Sequence, residues 1–325
     1  MSKSLRPSGL FKPMSIRKTS ISCVASIACA TVIALPVQAK GPRVLPRSDQ
    51  ADGGYVSTQS LLRPCLDVRK LIDEPDDGLL RDATAARNAL PPGTCNNAAL
   101  VEKVFTARFL QYATLSVVDD PWNIDRQIGA QNRAIDRCQD TQCLDRELNA
   151  VIRVLSPVYL HAQPVWPSGN GLCRHEAADA PVDRVLSTLG AQVRKELARK
   201  CGDEGLTAQT CAGPRGRLLF VSCESSGDQV NASQWLYRAR KRGFEPLLSV
   251  DDGPVGVLES TCNGWPDLKT SARISMGEHQ VTYYRFDGST YQPAYSYIET
   301  GVGSDGDGNG LAIAQGGTSI PVSCR

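Results

Sequence analysis

Histidine is nearly missing: His161, His175 and His279 are the only three in 325 residues. That scarcity leaves little material for triad or histidine–metal chemistry. No G-x-S-x-G elbow is present to seat a nucleophilic serine. His175-Glu176 lacks the second histidine of a zincin motif. C-x2-C pairs, the usual mark of structural zinc, are also lacking. After residue 39 no run of 18 consecutive apolar residues occurs, so no later segment is expected to span a bilayer. A strong charge of either sign is missing as well. With 36 Lys and Arg against 34 Asp and Glu, the formal +2 predicts neither nucleic-acid binding nor strong membrane attraction. Internal repeats are absent. No nucleophile–base pair can be assembled, so the expectation is no enzyme, no cofactor and no metal.

The N-terminus is basic, with Lys3, Arg6, Lys12, Arg17 and Lys18 and no acid. An apolar run over 21–35 follows and ends in Pro36-Val37-Gln38-Ala39. Its length of about 15 residues falls short of the roughly 20 that cross hydrocarbon. Small residues at Val37 and Ala39 suit signal-peptidase cleavage after Ala39, so 1–39 reads as a signal peptide. Cys23 and Cys29 would leave with it. Five basic residues leave too, so 31 Lys and Arg face 34 acids, a formal −3. The expected location is periplasmic or secreted, and the chain is not expected to be membrane-embedded after cleavage.

Ten cysteines then remain: Cys65, Cys95, Cys138, Cys143, Cys173, Cys201, Cys211, Cys223, Cys262 and Cys324. An even set in an exported chain predicts disulfides rather than zinc or a free thiol. Their connectivity stays open. Within one helix, Cys138 and Cys143 would stand about 8 Å apart at Cα, beyond the bridging limit of about 7 Å. If they pair, the helix breaks over 139–142, with Asp140 or Thr141 capping the next one.

Residues 40–60, rich in Pro, Gly, Ser and Asp, read as a flexible arm. From 61 to 160 the pattern is helical. Val101, Val104, Phe105, Phe109 and Tyr112 share a face, and Asp120-Pro121 looks like an N-cap with proline at the first position. Leu144, Leu148, Val151, Ile152 and Leu155 form a second stripe, expected to stop at Pro157. Residues 161–211 read as a linker carrying one helix, with the stripe Val182, Val185, Leu186, Leu189, Val193 and Leu197. From 212 to 325 short apolar runs predict antiparallel β structure. Asp287-Gly288, between QVTYYRF (280–286) and the run over 291–298, is the strongest hairpin signal. The expected fold class is α+β, a disulfide-bonded helical N-terminal module followed by an antiparallel β C-terminal domain.

Three local motifs carry weaker chemistry. Asp305 to Gly310 matches half of a calcium loop, but the twelfth position is Gly316 and not glutamate, so a Gly-Asp turn is expected. Asn231-Ala232-Ser233 is a formal glycosylation sequon. The acid pairs Asp119-Asp120 and Asp251-Asp252 read as capping and turn residues.

Residues 133–155, RAIDRCQDTQCLDRELNAVIRVL, resemble the closing motif of the lysozyme inhibitor LprI family. Arg137, Cys138, Cys143, Leu144, Arg153 and Leu155 occupy the matching positions. The resemblance covers 20–30 residues strongly and at most 61–160. It implies a helical periplasmic module, a Cys138–Cys143 bridge and a role in binding lysozyme. Residues 263–292 are similar to a hairpin unit of uncharacterised bacterial envelope proteins, which implies no activity. The expected function is thus an exported, non-catalytic envelope protein that binds lysozyme or another envelope protein, occluding the cleft in the first case. The alternative is a structural or interaction module with no lysozyme target. Its expected binding face is an exposed strip of Tyr283, Tyr291, Tyr295 and Tyr297.

Overall fold

Capping asparagine and aspartate side chains start the three long N-terminal helices. This computed structural model describes residues 43–50, 55–70, 72, 75, 77–162, 172, 178–179, 181–201, 206–223, 233–241, 243–251, 253, 255–304 and 310–324. The expected signal peptide, most of the Asp305–Gly310 loop and Asn231 lie outside them, and Gly310 opens the last strand. Helix α1 is Val56–Leu62 and α2 is Asp77–Asn88. Helix α3, Ala98–Val117, starts where Asn97 accepts from the Leu100 N–H, 3.2 Å away. Helix α4, Pro121–Ile135, starts at Asp120, which accepts from the Asn123 N–H. Helix α5, Thr141–His161, starts at Asp140, which accepts from the Cys143 N–H at 2.7 Å. These caps satisfy donors that a helix start leaves without partners.

The break between α4 and α5 brings Cys138 and Cys143 to 5.4 Å at Cα, and they are bonded. Helix α5 does not stop at Pro157 but continues to His161. An interior proline costs about 3 kcal/mol. Burial of the next turn opposes that cost: Tyr159 is 5% exposed and packs edge-on to Phe109 at 5.5 Å.

Two antiparallel five-stranded sheets follow. The first has β1 (Ala178–Asp179), β2 (Leu206–Gly213), β3 (Gly216–Cys223), β4 (Gln234–Arg240) and β5 (Gly243–Val250), paired in chain order. The second has β6 (Gly256–Cys262), β7 (Trp265–Ser275), β8 (Glu278–Phe286), β9 (Tyr291–Ser304) and β10 (Gly310–Ser319), also in chain order. The β structure therefore begins before residue 212, because β2 already pairs with β3 from Leu206.

The stripe over 182–197 is divided between α6 (Val182–Thr188) and α7 (Ala191–Cys201). Leu189 turns extended at the break and Gly190 follows, a poor helix former. The bend lets Val185, Leu189 and Leu197 all reach the first sheet, where they pack with Leu219, Val221, Trp235 and Tyr237.

Four layers result. The α6–α7 pair covers the outer face of the first sheet. Leu218, Leu236 and Leu248 of the first sheet meet Trp265, Leu268, Phe286 and Tyr291 of the second. The other face of the second sheet, with Val281, Tyr283, Tyr297, Val302 and Ile313, shares one core with α3 and α5. Lys40–Arg325 is a single compact unit. The described part of the expected arm is docked. Ser48 bonds twice to the Glu102 carboxylate, at 3.0 and 2.7 Å, and the Arg43 guanidinium lies over Tyr159.

Disulfides also join Cys65 to Cys95, Cys201 to Cys223, and Cys262 to Cys324. Cys211 is disulfide-bonded as well, while Cys173 lies outside the described residues. Among the described residues no helix is long and apolar enough to cross a membrane. The disulfides fit a non-cytoplasmic setting.

Candidate functional site

The expected tyrosine strip is not exposed. Tyr283, Tyr291, Tyr295 and Tyr297 retain 0, 5, 1 and 2% of their surface. Two features bury them. Both faces of the second sheet are covered, so either orientation leads into a core. A bulge also changes faces along β9: Tyr283 pairs with Tyr295, but Tyr284 pairs with Pro293, leaving one extra residue on β9. Tyr291 consequently faces Trp265 and Phe286 between the sheets. Tyr295 and Tyr297 face the helices beside Tyr283.

The helix-facing side carries a polar seam under the corner between α3 and α4. Lys269 on β7 donates to the Ser116 carbonyl at 3.4 Å. Tyr283 on β8 donates to the Val118 carbonyl at 3.1 Å. Asp119 follows directly, and its buried Oδ1 has no hydrogen-bond partner. On β9, Glu299 sits opposite His279 of β8, whose Nδ1 lies 3.4 Å from the Ser271 hydroxyl. Among the described residues no ion pair joins Lys269 or His279 to a carboxylate.

Burial sets the charge preferences of this seam. It pulls the Lys269 ammonium down, against the pull of Glu299 and Asp119. It pushes Glu299 up, against Lys269 and His279. It pushes Asp119 up as well, opposed by the Glu259 backbone and assisted by the Glu259 charge. Removing charged groups from water favours their neutral forms, which is the shared cause. Ser271, His279 and Glu299 do not form a bonded nucleophile–base–acid chain, because among the described residues no hydrogen bond or ion pair ties Glu299 to the imidazole. The spacing of His279 from Ser271, eight residues along two strands, gave no sequence motif.

At the other end of the seam, Asp267 is fully buried and its carboxylate meets Arg285 at 3.3 Å. The Arg285 guanidinium stacks over Trp122 of α4, 3.6 Å from the ring centre. Burial raises Asp267, while Ser260 and Arg285 oppose the rise. Among the described residues no group of three or more His, Cys, Asp or Glu is placed to hold a metal ion.

Among the described residues the most exposed large apolar side chain lies at the turn between β7 and β8. Met276 is 85% exposed, Ile274 51% and Tyr55, just before α1, 43%. The tip is held in place. The Tyr55 hydroxyl donates to the Met276 carbonyl at 3.4 Å and lies 3.1 Å from the Ser275 hydroxyl. Ser275 donates to Glu278 at 2.8 Å, and the Gly301 N–H donates to the Gly277 carbonyl. Gly277 takes a φ of +101°, a conformation that glycine adopts without steric cost. Sequence reasoning missed this site, although Met276-Gly277 between two β-type runs was a readable turn signal. Comparison with protein-family models, with curated proteins and with solved structures finds no match.

Proposed function

We propose that this chain is an exported envelope protein that binds another protein without catalysis. The sharpest candidate partner is lysozyme, with occlusion of its cleft as the mode. The observation carrying the binding role is the fixed apolar tip of Ile274, Met276 and Tyr55. Large exposed apolar side chains grouped on a rigid protrusion fit a protein contact, since little ordering entropy remains to be lost on binding. Lysozyme is singled out by the resemblance of residues 133–155, whose Cys138–Cys143 bridge closes the turn before α5. Export rests on the basic and apolar N-terminal pattern and the disulfide set.

A second reading, an envelope interaction module with a different protein target, has its own support. The apolar tip lies on β7–β8, outside the stretch that resembles the inhibitor family. The two readings separate in one assay. Purified Lys40–Arg325 is passed over immobilised lysozyme, and its effect on lysis of bacterial cell walls is measured. Retention at micromolar protein with slowed lysis is the expected result. Failure to bind at that concentration removes lysozyme and leaves the second reading.

A further inference from the structure

We infer that the turn end of the first sheet is a docking surface for an acidic polysaccharide. The inference does not depend on what the β7–β8 tip binds. In this antiparallel sheet the β2–β3 and β4–β5 turns lie at the same end. Leu218 of β3 pairs with Arg238 of β4, which sets the two turns side by side. Residues 213–218 and 238–245 contain Arg215, Arg217, Arg238, Arg240 and Lys241 but a single acid, Glu245. The chain after Ala39 carries 31 Lys and Arg against 34 acids, so this end is cationic against the sign of the whole.

Most of this charge is open to a ligand. Arg215, Arg217, Arg240 and Lys241 are exposed. Glu245 accepts from both Arg238 and Arg240, each at 2.7 Å, so one carboxylate answers two guanidinium groups. Among the described residues no ion pair is made by Arg215, Arg217 or Lys241. Neutral acceptors aim two of them: Arg215 donates to the Asn263 carbonyl at 3.0 Å and Arg217 to the Thr210 hydroxyl at 3.2 Å. These bonds orient a guanidinium without neutralising it, and its remaining N–H groups match a carboxylate or phosphate. Beside Arg217 lies a recess of about 530 Å³, lined also by Thr210, Ala212, Gly213 and Gly216. The space next to Gly216 is open. That volume falls within the roughly 300–1,000 Å³ of small-ligand sites, large enough for a sugar unit.

The surface fits a sugar chain better than a bilayer. Among the described residues none of the exposed large apolar side chains lies on β2–β5. A bilayer would therefore gain charge contacts here but no apolar insertion. An acidic sugar chain needs no insertion, and its repeated anionic groups can meet several guanidinium groups at once. On the second sheet Asp287 lies at this same end, with its carboxylate bonded to the Ser289 and Thr290 N–H groups. Arg215 reaches the Asn263 turn, from which β7 starts, and the apolar tip stands at the far end of the 11 residues of β7. At the usual rise of a strand the two ends are about 30 Å apart. A polysaccharide held at the basic end thus leaves the tip open to a protein.

Titration of purified Lys40–Arg325 with three probes tests this. Polygalacturonate is a carboxylated polysaccharide, its methyl ester keeps the sugars without the charge, and phosphatidylglycerol vesicles offer an anionic bilayer. In salt of about 50 mM, where screening is weak, the wild type is expected to bind polygalacturonate, not the ester, and the vesicles more weakly. The triple variant Arg217→Gln, Arg240→Gln, Lys241→Gln is expected to lose affinity about tenfold or more, the worth of one charge-assisted hydrogen bond. The control Arg69→Gln, Arg81→Gln, Arg87→Gln makes the same change of net charge between α1 and α2 and on α2. It is expected to bind as the wild type does. All six side chains are exposed, so native circular dichroism is expected of both variants. No binding of polygalacturonate, equal binding of its ester, or equal losses in the two variants overturns the proposal. Tighter binding to the vesicles than to the polysaccharide also overturns it, in favour of a membrane surface.

Discussion

Arg285 shows how one side chain can serve two layers. Its guanidinium pairs with the fully buried Asp267 and stacks on Trp122 of the helical layer. Removing one member of a buried pair leaves an uncompensated charge and costs about 3–5 kcal/mol. Arg285→Ala is expected to lose about 3 kcal/mol in urea denaturation near neutral pH. The loss is expected to shrink in mild acid. Asp267 has a raised folded value, so its protonation removes the unpaired charge as pH falls through that value. A loss that does not depend on pH would show that stacking, not charge, dominates. None of this was readable in the sequence. Asp267 and Arg285 are 18 residues apart, and only the strand register brings them together. The tyrosines failed for a related reason. Alternation tells which residues share a face, but not whether that face is covered, and the bulge at Pro293–Tyr295 reverses the parity within β9.

Elements were more legible where capping chemistry is local. The Asp120-Pro121 start and the break before α5 follow from side chains that bond within three residues. The Asp287-Gly288 turn is equally local. The carboxylate of Asp287 accepts from the N–H groups of Ser289 and Thr290, and these bonds, chiefly that of Thr290, hold it below its usual range. A two-residue hairpin also forms at Asn263-Gly264, with φ of 52° and 74° and Cys262 paired to Trp265. That is the type I′ preference of Asn-Gly. Pro157 and Gly190 misled in opposite directions, because tertiary burial decides whether a helix survives proline or turns at glycine. The disulfides act between elements with unequal weight. By chain entropy, the Cys138–Cys143 bridge contributes about 2 kcal/mol and the Cys262–Cys324 bridge about 4 kcal/mol. Paired cysteine-to-alanine variants are expected to lower urea stability in that order. Equal losses would contradict the entropic account.

At the scale of the whole molecule, the α+β class was legible and the layering was not. The sequence reads as helices followed by strands, which suggested separable modules. The structure instead gives the second sheet two covered faces, one of them by α3 and α5. A chain starting at residue 163 would expose Tyr283, Tyr295, Tyr297, Val302 and Ile313 together. It is expected to aggregate or to bind hydrophobic dyes. A soluble fragment with native near-ultraviolet dichroism would contradict the shared core. With so much aromatic surface buried, Met276 at the β7–β8 turn is the most exposed large apolar side chain among the described residues.

The central claim is that this tip binds protein, with lysozyme the candidate. Calorimetric titration of lysozyme with wild-type Lys40–Arg325 and with Met276→Asp tests it most directly. Met276 is almost fully exposed, so the substitution leaves the fold intact. The account predicts micromolar or tighter binding by the wild type, weakened about tenfold or more in the variant, as for a residue at the centre of an interface. Equal affinity of the two proteins would contradict the role of the tip, and no binding by either would remove lysozyme as its partner.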